Sequence, residues 1–416
     1  MTDVDILAAH REEFGVSPDG AAAAPISRAT APATWVFIGD SVDAVGGTVA
    51  IGLAQQDVQV AVSPAPAGGP AAVTVHWLGR GTTTAFLDDS AALAGDSTVG
   101  AAGGHQLAAD SAVKPGENPS PAAECAGLAW SLISKQLISR AAGGWNITVH
   151  TAAPLGRGLG VHDALLAAVA LALYPHAVHD APALAKIAAS CADISHTRNP
   201  AGLIRARFWA ALRGGSSAIS VVDFADGSLT GAPLPGVDAW LVYAADSTDA
   251  LLDRDTLAAR ERFVRDAERT FGVRRLLGLP DVKVRVDQWL AAAEESQHAP
   301  ATLPPRDVAA GWLELFVAEN DCANQAVAQL RSRKALDAVG TVDRSTALLP
   351  LSPQEQAVVD LCHRTGAVAA RPAHTGATGA VIAMVPSARS QDFAEKLRSL
   401  GLDVLDLGRG QQARIG

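Results

Sequence analysis

Residues 154–173 read Pro-Leu-Gly-Arg-Gly-Leu-Gly-Val-His-Asp-Ala-Leu-Leu-Ala-Ala-Val-Ala-Leu-Ala-Leu. Gly156, Gly158 and Gly160 stand at every second position, so the backbone can take positive φ and approach a partner closely. The segment just before it, Trp145–His150, alternates as a strand does. The segment after it, from Val161 to Leu173, is apolar on every side and reads as a buried helix. A glycine loop between strand and helix offers unpaired N–H groups and the positive end of a helix dipole, which together can cradle an anion. The same residues also suit a plain turn before a core helix. No Gly-Lys-Ser/Thr follows, which excludes a Walker A loop, and the glycine spacing is not that of a dinucleotide fingerprint.

Working outward, residues 4–14 read as a short helix and Ser17–Pro32 as a Pro/Ala-rich link. Strands are expected at Thr34–Ile38, Gly47–Leu53, Val58–Ser63 and Val73–Leu78. Their short connections predict a mixed or antiparallel sheet rather than simple βαβ winding. Asp88–Pro121 lacks periodicity and reads as an irregular, mobile insertion. Helices are expected at 122–141, 182–192, 201–212, 253–277, 282–296, 306–334 and 353–365. Later strands are expected at 218–222 and 239–244, and a strand–helix–strand ending covers 380–407. A domain boundary fits near 205–215, giving residues 1–205 and 206–416.

Composition bounds the function. The chain has 416 residues, 49% of them hydrophobic, and a formal net charge of −10. Such a chain has ample core and is electrostatically unsuited to nucleic acid. Its longest apolar run is far shorter than the ~20 residues needed to span a bilayer. The four cysteines, Cys125, Cys191, Cys322 and Cys362, are widely spaced. That favours buried reduced thiols over a zinc site or a disulfide framework, and a cytoplasmic setting is expected.

Five segments, in order, resemble the GHMP small-molecule kinases, and among them the galactokinases. The glycine loop is similar to their phosphate-binding motif. Ala33-Thr-Trp-Val-Phe-Ile-Gly-Asp-Ser-Val-Asp-Ala-Val-Gly-Gly47 resembles GRVNLIGEHTDYNGG. Pro200-Ala-Gly-Leu-Ile-Arg205 resembles PCGIMD. Ala318-Glu-Asn320 resembles a characteristic helix of the family, and residues 371–386 resemble RMTGGGFGGCTVALVP. The resemblance implies an α+β, two-lobed fold. Its N-terminal mixed sheet carries helices, its C-terminal part is an α/β sandwich, and a cleft lies between them. It also implies ATP- and Mg²⁺-dependent phosphorylation of galactose at the C1 hydroxyl.

Departures from the family pattern fall on the chemistry. Thr34 stands where the family has Arg. Asp40, Ser41 and Asp43 stand for its sugar-contacting Glu, His and Asp, and Gly46 is kept. The phosphate-loop positions are Gly156, Arg157, Gly158, Leu159, Gly160, Val161, His162 and Asp163. Val161 carries no oxygen for a metal where the family has a serine. Asp163 suits a first helical turn, or competes with a phosphate for the dipole. His162 reads as a packed side chain or as a phosphate donor. Arg205 stands where the family has its base, and a guanidinium cannot accept a proton. Near the nucleotide Gly376 is kept while neighbouring glycines are replaced, and the family's sugar-contacting Tyr falls near Leu257. No protein metal ligand is expected. Two readings follow. One is a catalytically impaired pseudokinase that binds, senses or scaffolds, for a sugar-like molecule or a protein partner. The other is an active small-molecule kinase with a rewired site. The charged helix 253–277 reads as a solvated face, with a protein-docking role as its alternative.

Overall fold

The computed structural model describes residues 4–15, 25–66, 68, 71–87, 119–140, 143–198, 204–244, 254–295, 303–374 and 379–416. The proposed insertion at 88–121 therefore lies almost wholly outside the described residues, as does Gly376.

The N-terminal half opens with α1 (Ile6–Phe14), capped by Asp5, whose carboxylate accepts from Leu7 and Ala8 N–H. Then come β1 (Ser27–Ile38), β2 (Thr48–Pro64), β3 (Ala72–Trp77), β4 (Gly81–Phe86), α2 (Pro121–Ser134), β5 (Gly144–Thr151), α3 (Val161–Leu173), α4 (Ala181–Arg198) and α5 (Ala206–Arg213). Strands β6 (Ala218–Asp223), β7 (Ser228–Pro233) and β8 (Val237–Ala244) follow. Next are helices α6 (Arg254–Phe271), α7 (Val282–Glu295), α8 (Arg306–Arg331), α9 (Ala335–Thr346) and α10 (Pro353–Thr365). The chain ends with β9 (Ala369–Pro372), β10 (Ala380–Pro386), α11 (Ser390–Ser399), β11 (Leu402–Asp406) and β12 (Arg414–Ile415).

An eight-stranded mixed sheet runs β12-β1-β2-β5-β3-β4, with β6 also on β2 and β7 on β6. Only β3 and β5 pair in parallel; the remaining pairs are antiparallel. A four-stranded antiparallel sheet runs β11-β8-β10-β9. The mixed α+β architecture expected from the sequence is the one observed.

Two expected boundaries are corrected. The Pro/Ala-rich link is strand from Ser27 onward, because Ala29, Ala31 and Ala33 are fully buried and β1 is paired on both sides. The ladder shifts register between Pro32 and Thr34, where proline offers no N–H. Likewise Gly47–Leu53 and Val58–Ser63 are one strand, β2. The polar residues read as a turn between them are held by the C-terminal segment. Gln55 and Gln56 side chains donate to Asp406 O at 3.0 and 2.7 Å, and Gly410 N–H donates to Leu53 O.

Helix α3 lies in the middle of the largest core cluster, against β1, β2, α2, α4 and α5. Ten of its thirteen residues are buried, which is why its sequence is apolar all round. The segment between β1 and β2 is gripped from the other side. Val42 and Val45 belong to a core cluster with Phe263, Leu276, Val286, Leu313 and Phe316 of the α6–α8 region. Cys125, Cys191 and Cys362 are buried and Cys322 half-buried, all as free thiols. Burial pushes the Cys362 thiol up to about 12, which keeps it protonated and inert.

Candidate functional site

The glycine loop is built as the spacing predicts. Gly156, Gly158 and Gly160 take φ of 72°, 78° and 60°, and Gly160 caps α3 from the left-handed region. A Cβ on Gly158 would stand 2.7 Å from Cβ of Ala373, so the loop rests directly on the chain following β9. Leu159 and Val161 are buried. Arg157 stacks on Tyr243 of β8, its guanidinium carbon 4.8 Å from the ring centroid, so the loop touches the smaller sheet.

Side chains around this loop are engaged with protein. His162 Nδ1 lies 3.1 Å from Oε2 of the buried Glu124, and its ring packs 5.6 Å from that of Trp77. Asp163 accepts from Ser195 Oγ at 2.7 Å. Behind the loop sits Arg207, almost fully buried, a residue the sequence reading did not single out. Its Nη1 donates to Thr34 O and Oγ1, both at 3.0 Å, and its Nη2 donates to Gly158 O at 2.5 Å. A Cβ on Gly160 would stand 2.5 Å from that Nη1. Thr34 N–H donates in turn to Leu159 O. A guanidinium thus reaches residue 34 from Arg207, bonded to the Thr34 hydroxyl and to the carbonyls of Thr34 and Gly158.

The loop between β1 and β2 forms a second cluster. Asp40 Oδ1 lies 2.5 Å from Nη2 of the fully buried Arg371, which also donates to Phe37 O at 3.1 Å. Glu319 of α8, fully buried, takes Gly39 N–H at 3.3 Å and Arg371 Nη2 at 3.4 Å, and accepts the Ser41 hydroxyl. Burial and the neighbouring Asp40 push Glu319 up to about 7. The next residue on α8, Asn320, accepts Thr48 N–H at 2.9 Å. Glu319 and Asn320 were visible only as part of a quoted helix motif, and Arg371 only as the first residue of another.

A third cluster surrounds Arg205. Asp43, fully buried, accepts from Arg205 Nε at 2.7 Å and from Ala206 N–H at 3.0 Å, and Arg205 Nη2 also donates to Asp43 O. Asp43 therefore anchors the start of α5 while neutralising Arg205. Burial raises the Asp43 pKa, and Arg205 opposes that rise. The Arg205 guanidinium lies over Phe224, 4.7 Å from the ring centroid. Arg275 approaches the same ring at 6.0 Å, and its stem fills the space beside Gly46, whose φ is 87°. Leu257, at the expected Tyr position, is buried.

The structure thus brings Asp43 and Gly46 together with Arg205, Asp40 with Ser41, and Thr34 with the 156–163 loop. The backbone of that loop fits a phosphate. Magnesium fits less well. No group of three His, Cys, Asp or Glu that could hold a metal occurs among the described residues, Val161 has no donor atom, and Glu124 is bonded to His162.

The whole fold matches solved kinases over nearly its full length. Lactococcus lactis galactokinase complexed with galactose aligns at TM-score 0.71 and 13% identity, covering 98% of this chain and 99% of that one. Methanococcus jannaschii mevalonate kinase aligns at 0.55 and 10%, covering 96% and 100%. Homoserine kinase from Cytophaga hutchinsonii aligns at 0.53 and 13%, covering 96% and 100%. The fold is that of the GHMP kinases. At such identities the likeness establishes the GHMP fold and nothing finer. No protein-family model matches the sequence, and no curated protein matches it.

Proposed function

We propose that this chain is a GHMP-fold, galactokinase-like protein that binds a small molecule in its cleft and is impaired in phosphoryl transfer. The observation that carries this reading is the pairing of Arg205 with Asp43. The residue in the family's base position is a cation, and the nearest carboxylate is spent on it. Asp40 and Glu319 are committed to Arg371, and Ser41 to Glu319. General-base action is typically worth about 10²–10⁴ in rate, and a guanidinium at position 205 cannot supply it. Galactose or a related sugar is the first ligand to try. The net charge of −10 speaks against nucleic acid. No helix among the described residues is long and apolar enough to cross a membrane. The cytoplasmic setting in this proposal is supported by four widely spaced free thiols. The test is phosphorus NMR of the protein with MgATP and galactose. Absence of galactose 1-phosphate is expected, and robust turnover would overturn the reading.

A second reading, an active kinase with a rewired site, is favoured by one observation. All three loop glycines keep positive φ at the head of α3, so the phosphate cradle persists in the backbone. Phosphoryl transfer rests largely on positioning and electrostatics, which cations such as Arg205 can serve. A nucleotide at about 100 times its Kd would stabilise the fold by about 2.7 kcal/mol. No shift in melting temperature with millimolar ATP or ADP, with and without Mg²⁺, removes this reading.

A further inference from the structure

Two arginines from distant parts of the chain converge on one buried ring. Arg205, at the start of α5, and Arg275, in the turn after α6, face Phe224 with their guanidinium carbons 4.7 and 6.0 Å from its centroid. Phe224 is itself fixed, its N–H donating to Gly47 O at 3.2 Å. The Arg275 stem is fixed too, wedged against Gly46, and Leu277 N–H donates to Val45 O at 3.0 Å.

The donors are under-used. Arg205 spends Nε and Nη2 on Asp43 and has 25% of its side chain exposed, while its Nη1 has no partner among the described residues. Arg275 is half-buried, and its guanidinium makes no hydrogen bond or ion pair among them. Of the acids that act on Arg275, Asp43 is held by Arg205 and Ala206, and Glu268 accepts Leu276 N–H at 3.0 Å. Neither closes on the Arg275 fork. Like charges held together and partly exposed, with forked donors left over, are the chemistry that recognises an oxyanion.

We infer that Arg205 and Arg275, seated on Phe224, form a receptor for the phosphate or carboxylate group of a small-molecule ligand. The inference rests on the reading of the cleft as a binding site, and it supplies the ligand's class: an anionic metabolite rather than a neutral sugar alone. Arg205 at the base position then has a use, holding charge instead of moving a proton.

The experiment is calorimetric titration of the whole protein with sodium phosphate and, separately, sodium acetate. Chloride is exchanged to hold ionic strength constant, and no nucleotide or sugar is present. Saturable one-to-one binding of at least one oxyanion is expected. Tighter phosphate points to a phosphoester ligand, and tighter acetate to a carboxylate. Arg275→Met, which keeps the stem against Gly46, should weaken binding at least about tenfold, the scale of one charge-assisted hydrogen bond. Arg275→Lys should fall between Met and the native residue. Arg213→Gln should bind as the native protein does, since Arg213 stacks on Trp209 away from this cluster. Unchanged unfolding midpoints without anion show that the variants are folded. Absence of saturable binding by either oxyanion, or full affinity in Arg275→Met, overturns the inference. The phosphorus NMR result is independent of both, because that assay reads turnover and this one reads anion binding alone.

Discussion

Arg205 is the residue on which the chemistry turns. Removing its side chain strands the buried Asp43, leaving only backbone N–H groups at the start of α5 to hold the carboxylate. Breaking a buried pair costs about 3–5 kcal/mol, and partial exposure of Arg205 brings this to roughly 2 kcal/mol for Arg205→Ala. Urea unfolding midpoints check it. Restoring the family acid with Arg205→Asp places a second carboxylate beside Asp43. It should destabilise at least as much and should not create galactose phosphorylation, because Thr34, Ser41 and Val161 also depart from the family pattern. Measured turnover in that single variant would contradict this account. Glu319 and His10 set opposing pH slopes. Glu319 holds its proton up to about 7, well above the ordinary 4.5 of a glutamate, so its contribution is present below pH 4.5 and lost as pH rises to 7. Buried His10, hydrogen-bonded to Thr148 and Ser63, is lowered from 6.5 to about 4. Its contribution is present above 6.5 and lost as pH falls to 4. Each is worth roughly 3 kcal/mol over its window. Relative to the native protein, Glu319→Gln should gain stability by about that amount between pH 4.5 and 7. Chemical denaturation at both pH values measures it.

At the scale of elements, the 154–173 segment was legible as a glycine turn leading into a buried helix, because an all-apolar run has one obvious reading, while the turn itself suited an anion cradle and a plain turn alike. Val161–Leu173 is helix as expected. The first half of β1 was not legible. Ala29-Thr-Ala-Pro-Ala33 has the composition of a link, and it is a strand because small residues are needed where α3 packs on the sheet. Arg207 was illegible for a related reason. Nothing local distinguishes it from Arg205 two residues earlier, and only the fold brings it under the glycine loop. Its value there is testable. Gly160→Ala places a Cβ 2.5 Å from Arg207 Nη1 at a φ of 60°, which should cost about 1–3 kcal/mol. Amide exchange should then accelerate first in the 156–163 loop, because the arginine that pins it has been pushed away.

On the scale of the whole molecule, the two sheets and the α6–α8 helices meet at the loop between β1 and β2. Asp40 reaches β9 through Arg371, Gly39 and Ser41 reach α8 through Glu319, and Asp43 reaches α5 through Ala206 N–H. Sequence reading located this loop by its resemblance and assigned its acids chiefly to ligand chemistry, with an Arg205 pairing to Asp43 or Asp163 as an alternative. Its acids also tie remote elements together, which composition and periodicity cannot reveal. Substituting Arg371 should therefore lower the stability of the protein as a unit rather than loosen one loop. Arg371→Met would leave Asp40 buried beside Glu319 without the cation bonded to both, with Arg260 still acting on the pair, a loss of about 3–5 kcal/mol. A single cooperative unfolding transition, shifted to lower denaturant, is the expected trace.

The pairing of β12 with β1 has a consequence for how the protein is made. Residues 414–415 close the edge of a strand that begins at Ser27, Gly416 N–H adds a bond to Arg28 O, and Ala413 N–H donates to Ala211 O in α5. During synthesis that edge must wait until residues 414–415 have been made, roughly 20–80 s after Ser27 at about 5–20 residues per second. An alanine-rich strand with a bare edge is a poor template for mispairing compared with a valine-rich one, and Pro32 interrupts its ladder. The small residues that packing demands of β1 therefore also make its edge a weak template during the interval before β12 arrives.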